Sequence, residues 1–430
     1  MNGTGSEMRR PTLLLIDAPG GPRPSLFGPR LSLLADLEFI CLRPKTATDA
    51  RSVAIAEYGE VTEVESPLDL VGAALDVANR RPIDGVLAFN EAVVYYAAVV
   101  AEALGLPHNS VRAATLMREK DLQRMALDEA GLTVPVWACI DSEADVPIAA
   151  AEVGFPAVLK PVIGMASVET RMIWSLHELE QAYNDAVPAY LRDPRLSVNA
   201  PRFVLEAMLH GSRWHDDDLF GDYVSVEAMV WHGEVRILTV TDKLPLAHEF
   251  REQGDVMPST LSTQLQDEIK KVATAAVLAL KGNHGMTHTE IKLTPEGPVV
   301  IEVNGRVGGG VTELAQLAFG YDIISDLGRM ALGERPRLPE AAERCAGFLH
   351  PQGPARALRI ERIEGAGQIA AEDSVSRFSI IHDVGAEPDW REGTTANLYH
   401  LQFSTPSPER TVEFMKKSLR TLVFEFEYLD

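Results

Sequence analysis

Two short apolar runs, "TLLLIDAPG" (Thr12 to Gly20) and "DGVLAF" (Asp84 to Phe89), break off at small or polar residues and give way to helical patterning. Runs of that length bounded by Gly or Asn read as buried strands. The second leads into "NEAVVYYAAVVAEALG", whose Ala and Val spacing fits a helix closed by Gly105. Strand, loop, helix, repeated, predicts a parallel sheet of the doubly wound type. Such sheets bind ligands at the carboxyl ends of their strands, which puts Asn90 and Glu91 at a candidate substrate edge. Glu91 is equally well explained as an acid favoured at a helix N-terminus. Further on, "MREKDLQRMALDEAGL" predicts one helix ending at Gly131, and "TVPVWACI" a strand. The segment from Tyr183 to Pro201 is polar and proline-marked and reads as peripheral.

The stretch "HTEIKLTPEGPVVIEVNGRVGGG", His288 to Gly310, changes the picture from fold to chemistry. In "TPEG", Pro295 presets φ for a type I turn and Gly297 takes the left-handed residue of a bulged hairpin loop. That loop pairs Thr294 with Pro298, and counting back sets Glu290 opposite Glu302 on one face. Asn304 shares that face, while Ile291, Val299, Ile301 and Val303 are expected in the opposite, apolar layer. Carboxylates about 5 Å apart at Cβ repel, or one stays protonated, unless a cation lies between them. Two Glu and one Asn, with no sulfur, suit a hard ion such as magnesium that shares phosphate oxygens with a substrate. A zinc reading of "HGMTHTE" fails on local structure, because two histidines at this spacing bind zinc from a helix and these residues read as strand.

Composition narrows the classes. With 430 residues, 46% hydrophobic, the chain is long enough for several domains, and its 40 basic against 62 acidic residues give a formal charge of −22. An acidic chain is a poor partner for nucleic acid. No stretch approaches the roughly 20 apolar residues of a membrane span, and Asp17 stops the first apolar run too early for a signal sequence. Cys41, Cys139 and Cys345 are odd in number and far apart, so free thiols in a reducing cytoplasm are expected.

If magnesium carries a nucleotide, positive charge is needed upstream. Lys160 ends the apolar run "FPAVLKP", and "VIGMASVET" follows at once, a small-residue loop with free backbone N–H groups suited to phosphates. Alone this is weak, since GxxxxGK[ST] is absent. Together, Lys120, the Lys160 loop, "VLEAML", "VSVEAMVWHGEV" and the Glu290, Glu302, Asn304, Arg306 array resemble the ATP-grasp superfamily in order and spacing. "TDKLP", "HTEIKL", "VNGR" with its glycines and "FLHPQG" are most similar to its L-amino acid ligase, dipeptide-forming branch.

The resemblance implies a mixed α/β architecture: a parallel-sheet N-terminal domain (1–115), two ATP-grasp subdomains clamping ATP (116–200 and 201–335) and a C-terminal lobe (336–430). It implies that Lys120, Lys160 and Ser167 contact ATP, that Glu206 meets the adenine amino group and Leu209 the ring edge, and that Glu227 holds the ribose. Glu290, Glu302 and Asn304 match magnesium ligands, with manganese a workable substitute. Lys243 is expected near the γ-phosphate, and Arg306 on the acyl phosphate. Asn90, Glu91, Glu252, Asp255, Arg306 and Gly309 are the expected substrate contacts, with Val311 lining the same pocket.

One departure stands out. Ligases of this branch often carry F-x-E-x-G-H, whereas "FREQGD" has Asp255 in place of the histidine. An anion there is expected to meet a positive group of a substrate. The implied activity is ATP-dependent coupling of an amino acid's carboxylate to an amine, with release of ADP and phosphate. A ligase of non-amino-acid metabolites, or a nucleotide-binding regulatory module without turnover, are the alternatives. Expected partners are small molecules and at most a second copy of the chain, with neither nucleic acid nor membrane.

Overall fold

Four parallel strands, β1 (Thr12–Asp17), β2 (Asp36–Leu42), β3 (Gly59–Val64) and β4 (Gly85–Leu87), form the N-terminal sheet in the order β3-β2-β1-β4. β1 is apolar without alternation because both its faces are covered: Leu13 and Leu15 enter one core, Leu14 and Ile16 another. The helix Glu91–Leu104 starts where the Asn90 side chain accepts from the Ala92 N–H, and ends at Gly105 with φ +67°. The structure, a computed structural model, describes residues 9–43, 50–193, 195–196, 198–389 and 396–428.

A second sheet, in the order β5-β8-β6-β7, is made of β5 (Trp137–Ile140), β6 (Ala157–Pro161), β7 (Arg171–Ile173) and β8 (Phe203–Ala207). The single helix expected before it is two, Val111–Arg118 and Lys120–Glu129. Glu119 between them is extended, and the Lys120 N–H donates to the Val162 carbonyl, anchoring the second helix to this sheet. The segment read as peripheral is also corrected. Helix Leu176–Arg192 runs through it, with Pro188 tolerated inside, and Tyr183 and Tyr190 pack on Phe203 at ring separations of 5.6 and 6.3 Å.

The remaining strands are β9 (Tyr223–Trp231), β10 (Glu234–Lys243), β11 (Gly254–Met257), β12 (His284–Thr294), β13 (Gly297–Asn304), β14 (Cys345–Leu349), β15 (Ala357–Glu364), β16 (Val375–Ile380), β17 (Tyr399–Thr405) and β18 (Val423–Tyr428). Eight of them make one sheet, β13-β12-β9-β10-β11-β14-β17-β16, and β15 pairs with β18 alone. Two expected divisions do not follow the sheets. β8 lies beyond residue 200 yet completes the second sheet, and β11 pairs across the 335/336 division, Gly254 with Leu349 through Met257 with Ala346.

The hairpin closes differently from the count but reaches the same result. Thr294 pairs with Gly297, not Pro298, and a bulge beside Ile301 restores Glu290 opposite Glu302. The bulge moves the apolar positions by one, so Val300 and Val303 fill the core while Ile301 turns to line the central cleft. Glu290 and Glu302 therefore share a face, as expected, but through the bulge and not through the expected turn pairing.

Because the C-terminal strands complete the large sheet, a chain ended at residue 335 would leave β11 with an open edge and strip the core that holds Val256 and Leu244. Such a fragment is expected to aggregate or to melt without cooperativity. Soluble yield and a near-UV circular dichroism melt check this, and a cooperatively melting fragment would contradict it.

Candidate active site

A cleft of roughly 750 Å³ lies where the three sheets meet. Its walls are the loop after β1, the start of helix Glu91–Leu104, the second sheet with its loop 162–170, the large sheet and the glycine run after Asn304. Lys120, Lys160, Ser167, Glu206, Leu209, Glu290, Glu302, Asn304, Asn90, Glu91, Glu252, Arg306 and Gly309 all line it. Glu227, Lys243 and Asp255 do not.

Helix Lys120–Glu129 organises the nucleotide end. The Gln123 side chain pairs with the Val303 backbone like an added strand, donating to its carbonyl at 3.0 Å and accepting from its N–H at 2.8 Å. This brings the Lys120 ammonium to 3.0 Å from Glu302. One turn on, buried Arg124 forks onto Glu206 at 2.9 and 3.1 Å and also reaches the carbonyl of the bulged Ile301. Lys160 reaches Glu206 from β6 at 2.8 Å. Burial opposes a charge on Glu206, but Arg124 and Lys160 outweigh it and hold its carboxyl down to about 2. Glu302 is likewise lowered against its burial by Lys120 and Lys160. Arg124 was missed in the sequence, although its position four residues after Lys120 puts it on the same helix face.

Loop 162–170 carries positive φ at Ala166, Ser167 and Glu169. The Ser167 carbonyl accepts from Arg251 at 2.7 Å, joining this loop to the segment that carries Phe250 and Glu252. Asn90 lines the cleft but spends both ends of its amide on structure, capping the helix and donating to the Pro19 carbonyl at 2.9 Å.

Two expectations are corrected. Glu227 is fully buried, and its carboxylate accepts from the Ser225 hydroxyl at 2.8 Å and faces His288 Nδ1 at 2.9 Å, so it is not open to a ribose. Asp255 does not await a substrate cation: Lys243 lies 2.7 Å from one of its oxygens and His350 3.0 Å from the other. The partners that the anion answers are the chain's own. Lys243, held also by Glu252 at 2.9 Å, is charged despite burial because those two carboxylates surround it. It lies beneath the floor, with Glu252 between it and the cleft.

At the reaction end, Arg306 donates to Glu91 at 3.1 Å and approaches the Asn304 side-chain oxygen at 3.5 Å. Burial raises Glu91, with Arg306 working against it. The glycines after Arg306 are required by close approach: a Cβ at Gly308 would meet the His288 ring at 2.4 Å, and one at Gly310, where φ is +71°, the Phe348 ring at 2.5 Å. A Cβ at Gly309 meets nothing within 4 Å, so this residue opens space. Val311 points into the core instead of the cleft.

The donor set fits a hard divalent ion. Glu290 and Glu302 are cross-strand partners with Asn304 beside them, all three reaching the cleft, and no sulfur or imidazole stands in the set. Of the histidines in "HGMTHTE", His284 is held at the Met330 carbonyl, and His288 faces Glu227 through Nδ1 and lines the cleft with Nε2 3.6 Å from Glu290. Among the described residues no three His, Cys, Asp or Glu side chains form a metal cluster of their own.

A nucleotide-sized cleft clamped between a small sheet with a loop rich in small residues and a large sheet bearing paired glutamates is the ATP-grasp architecture. Residues 153–314 match the ATP-grasp domain family, so the chain carries an ATP-grasp domain within an ATP-grasp fold. The chain is 26% identical over 354 residues to the alanine–anticapsin ligase of Bacillus subtilis, covering 74% of this chain and 72% of that one. Carnosine synthase 1 of Homo sapiens is 26% identical over 286 residues, 62% of this chain and 33% of its own length. The crystal structure of an L-amino acid ligase from Bacillus licheniformis superposes with a TM-score of 0.79 at 22% identity, covering 97% of this chain and all of that one. No described helix is long and apolar enough to cross a membrane.

Arg124→Met leaves buried Glu206 with one cationic partner and should destabilise the fold by about 3 kcal/mol. The sign with pH follows from the lowered carboxyl. Its contribution is full above the unfolded value near 4.5 and is lost as pH falls through about 2. Urea midpoints should therefore separate wild type from variant most at pH 6 and converge as the pH is lowered. A gap independent of pH would contradict the pairing.

Proposed function

We propose that this protein is an ATP-dependent carboxylate–amine ligase that activates an amino-acid carboxylate as an acyl phosphate and couples it to the amine of a second amino acid, releasing ADP and phosphate. The observation that carries the reading is the joining of Glu290, Glu302 and Asn304 to the Arg306–Glu91 pair in one cleft that runs on past them. The relatives named for joining amino acids support the same class.

A carboxylate resists attack by an amine until one oxygen becomes a good leaving group, and phosphorylation does that. Lys120 and Lys160 stand where polyphosphate charge would lie, each now balanced by a glutamate. Magnesium held by Glu290, Glu302 and Asn304 would neutralise the terminal phosphates. Arg306 offers two parallel donors to the acyl phosphate and to the tetrahedral oxygens that follow. Its partner Glu91, raised by burial, stands ready to orient an amino group or take its proton. The loop 162–170, tied down by Arg251, excludes water that would hydrolyse the acyl phosphate.

Incubation with ATP, magnesium and pairs of amino acids should release ADP and phosphate together with a product of the summed mass less water. Glu302→Gln should lower this by about 10²-fold or more, through loss of a ligand charge at constant shape. Arg306→Lys should lose most amide formation although the charge remains, because one ammonium does not match two parallel donors. AMP and pyrophosphate formed in step with product would rule the mechanism out.

A further inference from the structure

The cleft does not stop at the residues described above. It continues onto β16 and β17, where Arg377, Asn397, His400 and Gln402 line it together with Arg23 from the loop after β1. Register explains why they converge. Lys243 pairs with Asp255, Asp255 with Phe348, Phe348 with Gln402, and Gln402 with Arg377, so one row of side chains crosses the sheet from the catalytic floor to its edge. The Gly310 backbone packs on the Phe348 ring, so the glycine run lies over β14. Arg377 stands two strands further on, roughly 10 Å at 4.7–4.9 Å per strand.

The charge along that row changes sign in use. Near the reaction centre each cation is met by a carboxylate of the chain: Lys243 by Glu252 and Asp255, Arg306 by Glu91. Arg377 has no such partner among the described residues. Arg23 has one, Glu313, at 3.6 Å. Burial and the nearby charges of His350 and Arg23 lower His400 to about 4, so at neutral pH its ring is uncharged and hydrogen-bonds to Asn397 at 3.1 Å. The end of the cleft therefore presents an uncompensated guanidinium with neutral hydrogen-bonding groups beside it, in a protein of formal charge −22. An arginine so placed matches a planar anion with two oxygens.

We propose that Arg377, with Gln402 beside it and Arg23 across the cleft, forms the subsite for the free carboxylate of the amine substrate. This rests on the ligase reading and adds to it the place where the acceptor's carboxylate is held, so that an α-amino acid or short peptide with a free C-terminal carboxylate is taken in preference to a simple amine or an amide.

The test compares free amino acids with their C-terminal amides as acceptors, read by ADP release and product mass. Wild type should prefer the acid by roughly 10- to 100-fold in kcat/KM, the value of a charged hydrogen-bonded contact. Arg377→Met should bring that ratio toward one, mainly through KM of the acid, and Arg377→Lys should restore part of it; ADP binding serves as the check that each variant is folded. An unchanged acid-to-amide ratio in Arg377→Met overturns the subsite while the ligase reading stands. Calorimetric binding of amino acids and dipeptides in the presence of ADP and magnesium covers a protein without turnover. Carboxylate binding that depends on Arg377 there supports the subsite although the ligase reading has failed, and carboxylate binding indifferent to Arg377, or none, overturns it.

Discussion

Among the described residues that line this cleft, every lysine and arginine except Arg377 pairs with a carboxylate of the chain. Lys120 sits on Glu302, Lys160 and Arg124 on Glu206, Lys243 on Glu252 and Asp255, and Arg306 on Glu91. Charges out of water need such partners, because desolvation costs several kcal/mol for each ion. The pairs also tie the architecture together: Glu206 belongs to the second sheet, Arg124 to a helix and Glu302 to the large sheet. Binding of a polyphosphate and a divalent ion would exchange partners rather than create charge, lysine turning to phosphate and glutamate to the metal.

The same constraint separates what the sequence discloses from what it hides. The opposition of Glu290 and Glu302 was read from a turn count that was one residue off, and the bulge at Ile301 restores it. That bulge leaves no sign among the consecutive apolar residues Val299, Val300 and Ile301. Glu206 and Glu227 look alike in sequence, each set in a run of apolar residues. What tells them apart is position: Glu206 itself lines the cleft between Arg124 and Lys160, whereas Glu227 lies beneath the floor behind His288, which arrives from a neighbouring strand. Asp255 was expected to meet a positive group of a substrate, yet its partners, Lys243 and His350, come from β10 and from the residue after β14, on either side of it.

The C-terminal residues of the cleft were silent in the sequence for a topological reason. Arg377, His400 and Gln402 reach it only because β14 and β17 insert between β11 and β16, extending the sheet by three strands. No motif marks a strand pairing as distant in sequence as that of Gly254 with Leu349. One sheet thereby has two chemically different ends, with paired glutamates at β12 and β13 and the Arg377 guanidinium at β16. Helix Val311–Phe319 packs against β14 between them, which positions the glycine run over the junction.

The central proposal is that a carboxylate is made reactive by taking the terminal phosphoryl group of ATP inside this cleft. Transfer of oxygen tests it without reference to any single residue. With a donor amino acid carrying ¹⁸O in both carboxylate oxygens, amide formation through an acyl phosphate must leave one ¹⁸O in inorganic phosphate for each product formed, measured by mass spectrometry or by the ³¹P isotope shift. Label recovered in AMP, or phosphate free of label while amide accumulates, would contradict the account.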